Sequence, residues 1–308
     1  MKISTLFKSL AIVSISVIVI IASCKKDNSN NNNNNNGGNN NNSDDSSAVI
    51  LSGTSATADN AYNDVLQVVL EGSFDNNIAY KASASEGTVE TNGVRSATAV
   101  NGVSTFTCAS YTLAPADLTT FPKTLTVDFG TGCTSGDGIA RKGKITYVLS
   151  GKILTPGTTA SATFQNYSVN GYQLEGTYAI TNTSTIAGVS FVTSVTGGKI
   201  TFPDASFYNY AGNKTIKMTA GMQTPSDLSD DVYSIAGSNT FSSSAGNTLS
   251  DSITTLLTKA YACKFVSSGV VSFIYNNSIS GTLDFGNGTC DSTVTIKVGA
   301  ISKDIILY

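Results

Sequence analysis

The 308-residue sequence contains no histidine. That excludes Ser-His-Asp and Cys-His catalysis, imidazole metal ligation and histidine proton shuttles. It contains no tryptophan either, the ring on which sugar-binding faces often stack their ligands. Nucleotide-binding loops of the Walker and Rossmann types are missing. Basic residues are few, with 18 Lys and Arg against 21 Asp and Glu. Nucleic acid is bound by clustered Lys and Arg that neutralise phosphates, so this balance argues against a nucleic-acid partner. The same acidity gives no pull toward an anionic bilayer. The chemistry that survives is that of carboxylates, as in a glycosidase with two Asp or Glu. The densest acidic cluster is Asp227, Asp230 and Asp231, and its turn-like surroundings (Pro225, Ser226, Ser229) read as solvated loop. No cofactor is expected.

The N-terminus is more specific. Lys2 and Lys8 flank the start of an apolar run, Leu10 to Ile21, broken only by Ser14 and Ser16. A positive start, a short apolar run and small residues before a cut are the three parts of an export signal. The run is short for a membrane span of about 20 residues. Ile21-Ala22-Ser23-Cys24 has the form of a lipobox, in which the cysteine is acylated and becomes the new amino terminus. Residues 1–23 are therefore expected to be a lipoprotein signal peptide, with Cys24 as the lipidation site and the membrane as a partner through the lipid. Each buried CH₂ of an acyl chain contributes about 0.8 kcal/mol, and stable anchoring takes two signals or more. Loss of residues 1–23 from 308 would leave 285, with 16 basic and 21 acidic side chains and a formal charge of −5.

Lys25-Lys26-Asp27 follows, and then twelve of the fifteen residues from Asn28 to Asn42 are Asn. Such a tract buries no apolar surface and cannot offset its ordering entropy. Residues 24–54 are expected to be the lipidated cysteine and a disordered Asn-rich linker. Residues 55–308 are the expected payload. One helix is predicted, Ser55 to Gly72, from the spacing of Tyr62, Val65, Leu66 and Val69. Thr57 or Asp59 would cap its start and Gly72 its end.

The rest reads as strands rich in Thr, Ser, Val and Ile, broken by Gly or Asn-Gly about every ten residues. Val169-Asn170-Gly171-Tyr172, Ala211-Gly212-Asn213-Lys214 and Val298-Gly299-Ala300 read as hairpin turns, and short connections favour antiparallel neighbours. The expected fold class is all-β, an antiparallel sandwich or curved meander with one N-terminal helix. It is one domain or two related halves, near 55–200 and 201–308.

An element recurs. Asp128-Phe129-Gly130-Thr131-Gly132-Cys133 returns as Asp284-Phe285-Gly286-Asn287-Gly288-Thr289-Cys290. Each copy has an upstream cysteine, Cys108 or Cys263, at separations of 25 and 27 residues. Four cysteines permit three pairings, and the matched spacing favours Cys108–Cys133 and Cys263–Cys290. Compartments beyond the inner membrane allow such bonds. Asp128, Thr131 and Asp137, or Asp284, Asn287 and Asp291, offer hard oxygens of the kind Ca²⁺ takes, but not at the spacing of an EF-hand. The competing reading is that Asp in a Gly-rich turn caps backbone N–H groups, with no metal bound. Asp251-Ser252-Ile253 and Asp291-Ser292-Thr293 look like short O-glycosylation acceptors, with Ser252 and Ser292 as the candidate sites. Tyr208 and Tyr210 alternate on one strand face, as a ligand platform or as cross-strand packing.

The run Phe121 to Cys133, the stretch Arg141 to Ile145, the string Phe164-Gln165-Asn166-Tyr167 and the C-terminal Gly281 to Asp291 resemble segments of a family of Bacteroidetes lipoproteins. The resemblance covers about residues 55–308. It implies a shared fold and lipid anchor, and it implies no activity, because none is established for that family. Three functions follow as expectations. The first is an outer-membrane lipoprotein with a non-enzymatic binding or scaffolding domain, facing the cell surface or the periplasm, with an envelope protein or a glycan as partner. The second is a glycan-binding or carbohydrate-active surface lipoprotein. The third is a lipid or lipoprotein carrier with a curved sheet around an apolar hollow.

Overall fold

The computed structural model describes residues 41–76, 78–79, 108–224 and 228–307. The expected signal peptide, Cys24, most of the tether and Asp227 lie outside the described residues. One helix, α1 (Asn41–Asp75), precedes the strands. The first strands are β1 (Ser110–Ala114), β2 (Lys123–Asp128), β3 (Cys133–Thr134), β4 (Ala140–Leu149), β5 (Thr159–Val169), β6 (Tyr172–Asn182) and β7 (Ser190–Thr201). They are followed by β8 (Phe207–Ala220), β9 (Val232–Ser243), β10 (Thr248–Ala260), β11 (Ser268–Tyr275), β12 (Ile279–Asn287), β13 (Thr293–Val298) and β14 (Ile301–Ile306). All belong to one antiparallel sheet in chain order, β1-β2-β4 and onward to β14, with β3 beside β4. The fold is all-β, a meander with a single helix. β7 ends at Thr201 and pairs with β8, so the strands on either side of residue 200 belong to the same sheet.

The sheet coils around α1. Near the start of the helix, a Cβ on Gly53 would lie 3.2 Å from Ile305 of β14 and 3.4 Å from Ile296 of β13. Near its end, a Cβ on Gly72 would lie 3.2 Å from Leu125 of β2 and 3.4 Å from Tyr111 of β1. One strand face points at the helix throughout, as in β2, where Lys123, Leu125 and Val127 are buried and the residues between them half-buried. Between Ala48 and Phe74 of α1, Ile50 is the exposed residue. A helix covered on nearly every side needs no continuous polar stripe, so apolar and small residues occur all round it, interrupted by a few polar side chains.

The helix is longer than its apolar spacing indicates. It starts at Asn41 and ends at Asp75, so residues 41–54 of the expected linker are helical. Ser, Thr, Gly and Asn are poor helix formers, but tertiary packing overrides propensity. Their hydroxyls are satisfied within the helix: Ser52 Oγ donates to the Val49 carbonyl, Thr54 Oγ1 to Ile50 and Thr57 Oγ1 to Gly53. Thr57 and Asp59, expected as caps, are interior positions. Gly72 does not end the helix; it clears the side chains of β1 and β2.

Curvature comes from bulges, which bend and twist the strand that carries them. Pairing slips between Lys142 and Lys144 on β4, and between Glu175 and Thr177 on β6. Gly143 lies at the first slip with φ +77°, where a Cβ would come 2.1 Å from the Asn166 carbonyl oxygen. Gly176 lies at the second with φ +105°, where a Cβ would come 2.7 Å from the Gly197 carbonyl oxygen. Side chains cannot fit there. The Asn170-Gly171 turn joins β5 to β6 with both residues at positive φ, as a tight hairpin requires. The Ala211 to Lys214 segment is not a turn. It lies inside the fourteen-residue β8, pairing with Gly237 to Thr240 of β9. Gly212 is there because a Cβ would meet Asn239 Cβ and the Tyr210 hydroxyl at 3.0 Å.

Two disulfides, Cys108–Cys133 and Cys263–Cys290, close loops of matched length with Cα separations of 6.1 and 5.7 Å. Among the described residues, no helix is long and apolar enough to cross a membrane.

Candidate functional site

Charged and polar groups converge between α1 and the sheet. α1 carries acids and no Lys or Arg, so its acids are met from the strands. Asp64 takes a forked contact from Arg141 of β4, with Nη2 at 2.5 Å and Nε at 3.0 Å, and the Tyr167 hydroxyl of β5 donates to it at 2.9 Å. Arg141 is 1% exposed and also bonds Asp137, at 2.7 Å. Burial, the largest single effect, would lower the guanidinium pKa, but the charge and hydrogen bond of Asp64, with Tyr167 and Asp137, together outweigh it and hold the group well above its ordinary value. Asp59 pairs with Lys214 of β8 and accepts from the Tyr210 hydroxyl at 2.5 Å. Glu71 accepts from the Tyr261 hydroxyl.

A fourth group is less complete. Asp251 of β10 accepts from Ser55 Oγ and from Asn239 Nδ2 of β9, both at 2.7 Å through Oδ2. Its Oδ1 is buried with no hydrogen-bond partner among the described residues. Burial pushes its pKa up to about 6, against the pull of the Ser55 and Asn239 bonds. Lys259 of β10 is half-buried and donates to the carbonyls of Ala260 and Cys263, and burial pushes it down to about 8.

The repeated Asp-Phe-Gly turns use their acids as caps. Asp128 Oδ1 accepts from Gly130 N at 2.8 Å, and Asp284 Oδ1 from Gly286 N at 3.0 Å. Asp128 also pairs with Lys144 at 2.9 Å, and that bond, ahead of the Gly130 N–H, lowers its pKa. Asp137 Oδ1 accepts from Ile139 N and Asp291 Oδ1 from Thr293 N. The four acids named as Ca²⁺ candidates thus hold their own turns, and no group of three or more metal-type side chains stands together among the described residues. Phe129 and Phe285 are both buried, so each turn also plugs the core.

The acidic cluster expected as solvated loop divides. Asp230 is exposed and accepts from Thr224 Oγ1 at 2.7 Å, whereas Asp231 is 2% exposed and accepts from the Tyr233 hydroxyl at 2.6 Å. Asp231 is drawn inward because its backbone carbonyl anchors Tyr261 N at the next connection. Ser252 is exposed on the outer face of β10, and Ser292 is half-buried.

Tyr208 and Tyr210 both face inward. Tyr210 is buried against the Tyr62 ring at 4.6 Å, with its hydroxyl on Asp59. Tyr208 is half-buried and opens into a cleft of about 320 Å³ at the rim of the sheet. Ser47, Ile50 and Leu51 of α1 form one wall, with Phe207 and Tyr208 of β8 and Tyr275 of β11 opposite. Consecutive residues of β8, β9 and β10 also line a second, larger depression of about 610 Å³, with Asn209, Thr240, Ser242, Thr248 and Ser250. Among the described residues, neither lining contains a charged side chain.

α1 packs against strands from both ends of the sheet. A small cleft between Leu66 and Leu70 of the helix and Ile216, Tyr233 and Ile235 of the sheet, with Asn63, Gln67, Lys259 and Tyr261 also on its lining, measures about 60 Å³ and holds a few water-sized groups.

Compared with known proteins, the chain matches no family model, no curated protein and no solved structure.

Proposed function

We propose that this chain is a lipoprotein anchored in the outer membrane through Cys24, whose β domain is a non-enzymatic binding or scaffolding module. The observation that carries the reading is how the acids are used. Asp59, Asp64, Glu71 and Asp231 are each bonded to a lysine, arginine or tyrosine of the core, and Asp128, Asp137, Asp284 and Asp291 cap turns. A glycosidase needs two carboxyl groups flanking an open cleft, and the rim cleft is lined by hydroxyls, amides and rings. The lipobox and the Asn-rich tract supply the anchor and the tether.

Two experiments test the parts separately. Cys24→Ala should move the protein from the membrane fraction to the soluble fraction of the native host; retention in the membrane would refute the anchor. Protease shaving of intact cells assigns the face. Digestion without lysis places the domain outside, and protection until the outer membrane is breached places it in the periplasm. Reproducible hydrolysis by the purified mature protein, lost on changing one carboxylate, would refute the non-enzymatic reading.

A further inference from the structure

We infer that the rim cleft binds a neutral glycan chain, an inference that rests on the reading of the domain as a binding module. The first observation concerns tyrosine hydroxyls. Tyr62, Tyr147, Tyr167, Tyr210, Tyr233 and Tyr261 all donate theirs to named acceptors inside the domain. The hydroxyls of Tyr208 and Tyr275 have no acceptor among the described residues, and both side chains line the cleft. A buried or half-buried phenol with no internal partner is satisfied by water or by a ligand.

The second observation is preorganisation. The Tyr208 ring stacks on Phe241 with centroids 4.9 Å apart and planes 15° from parallel. It meets Phe202 edge-on at 5.3 Å, and Phe202 meets Tyr172 at 4.9 Å. Four rings thus cross β6 to β9 as a fixed row, with Tyr208 the member next to the cleft. On the lip, Phe207 is 41% exposed, with the Lys199 ammonium 5.2 Å from its ring centroid. A ring held in place by its neighbours, as Tyr208 is, loses little entropy when a ligand covers it.

The third observation is chemical selection. Ser243 accepts from Asn247 N, and Asn247 Oδ1 accepts from Asn276 Nδ2; among the described residues the Ser243 O–H and the Asn247 N–H₂ have no acceptor. These donors, two phenols and an aromatic lip match a ligand that presents hydroxyls on its edge and C–H groups on its face. Among the described residues the lining carries no charge, and Lys199 beside Phe207 is paired with Glu175 at 2.9 Å. The volume of about 320 Å³ is near the lower end for small-ligand sites. The adjoining depression lets a longer chain continue over the rim past Asn209 and Ser242.

The test is calorimetric titration of the whole mature chain with cello-, malto-, manno- and galacto-hexaose, and with oligogalacturonate as acidic comparator. At least one neutral hexasaccharide should bind. Tyr208→Phe and Tyr275→Phe, which keep the rings and remove only the hydroxyls, should each weaken it about five- to tenfold. Phe207→Ala, at an exposed position, should weaken it about tenfold or more. Binding of the acidic oligomer alone, binding that all three variants leave unchanged, or no binding at all would overturn the inference. In the last case the module reading survives if the domain is anchored and shows no turnover. A neutral glycan that is bound and then cut would instead support the site and refute the non-enzymatic reading.

Discussion

Asp251→Asn isolates the cost of one buried carboxyl group. The ordinary pKa of the side chain is 3.8, and in the folded protein burial pushes it up to about 6. The separation is worth about 3 kcal/mol, at about 1.4 kcal/mol per tenfold change in proton affinity. The folded state here binds the proton more tightly than the unfolded state. The stabilisation from this group is therefore complete below about pH 3.8 and is lost as pH rises through about 6. Between about pH 4.5 and 7.5 the wild-type protein should lose about 2 kcal/mol on its account. Asparagine is nearly isosteric with the protonated acid and does not titrate, so the variant lacks that slope.

The assay is urea unfolding with disulfides intact, followed by circular dichroism at several pH values in that range. The quantity to plot is the stability of the variant minus that of the wild type, because the other titrating groups cancel in it. The difference should grow in favour of Asp251→Asn by about 2 kcal/mol from the acid to the alkaline end. The comparison also absorbs any fixed cost of placing an amide where Oδ1 has no partner. A difference flat with pH would mean that Asp251 is not held neutral by burial, and the account of this cluster would fail.

Three further substitutions probe the other supports. Arg141→Met leaves Asp64 buried without its cation and should cost about 3–5 kcal/mol in denaturant unfolding, whereas Asp64→Leu with Arg141→Met should cost less than the single change. Gly143→Ala forces a Cβ against the Asn166 carbonyl at a positive φ and should lower stability by about 2 kcal/mol or more, read from the same unfolding curves. Replacing Cys263 and Cys290 together by Ala opens a loop of 27 residues and should cost about 3–4 kcal/mol in the chain-entropy model, measured as the drop in thermal midpoint under oxidising conditions.

Strands and turns were legible because their rules are local. The Thr- and Val-rich runs between Gly and Asn breaks, and the Asn170-Gly171 pair, carry their geometry in a few residues. The cysteine pairing was legible from two matched spacings. What the sequence hides is long-range. Gly212 looks like a turn residue until Asn239 and Tyr210 are seen pressed against it. The first turns of α1 look like linker because their helicity depends on strands more than two hundred residues later. The inner ion pairs were missed, although one signal was present: a helix with Asp59, Asp64 and Glu71 and no basic residue must find its partners elsewhere. Apolar periodicity picks out the core face of a helix, and it is silent when the whole surface is core.

Those acids explain how a helix of mostly small residues holds one position inside a sheet. Apolar burial is non-directional, so sliding or turning α1 within its sleeve would change the buried area little. Asp59, Asp64 and Glu71 do not tolerate such movement. They lie twelve residue steps apart from first to last, about 18 Å of helix, and tie it to Lys214 on β8, Arg141 on β4 and Tyr261 after β10. A shift of one residue turns the helix by about 100° and would leave Arg141 and Asp64 buried apart, at a cost of several kcal/mol. The locked register in turn places Ser47, Ile50 and Leu51, which lie eight to twelve residues before Asp59, as one wall of the rim cleft. The width of that cleft is thus set by ion pairs deep in the core, and the outer surface where a ligand would dock inherits the rigidity of the interior.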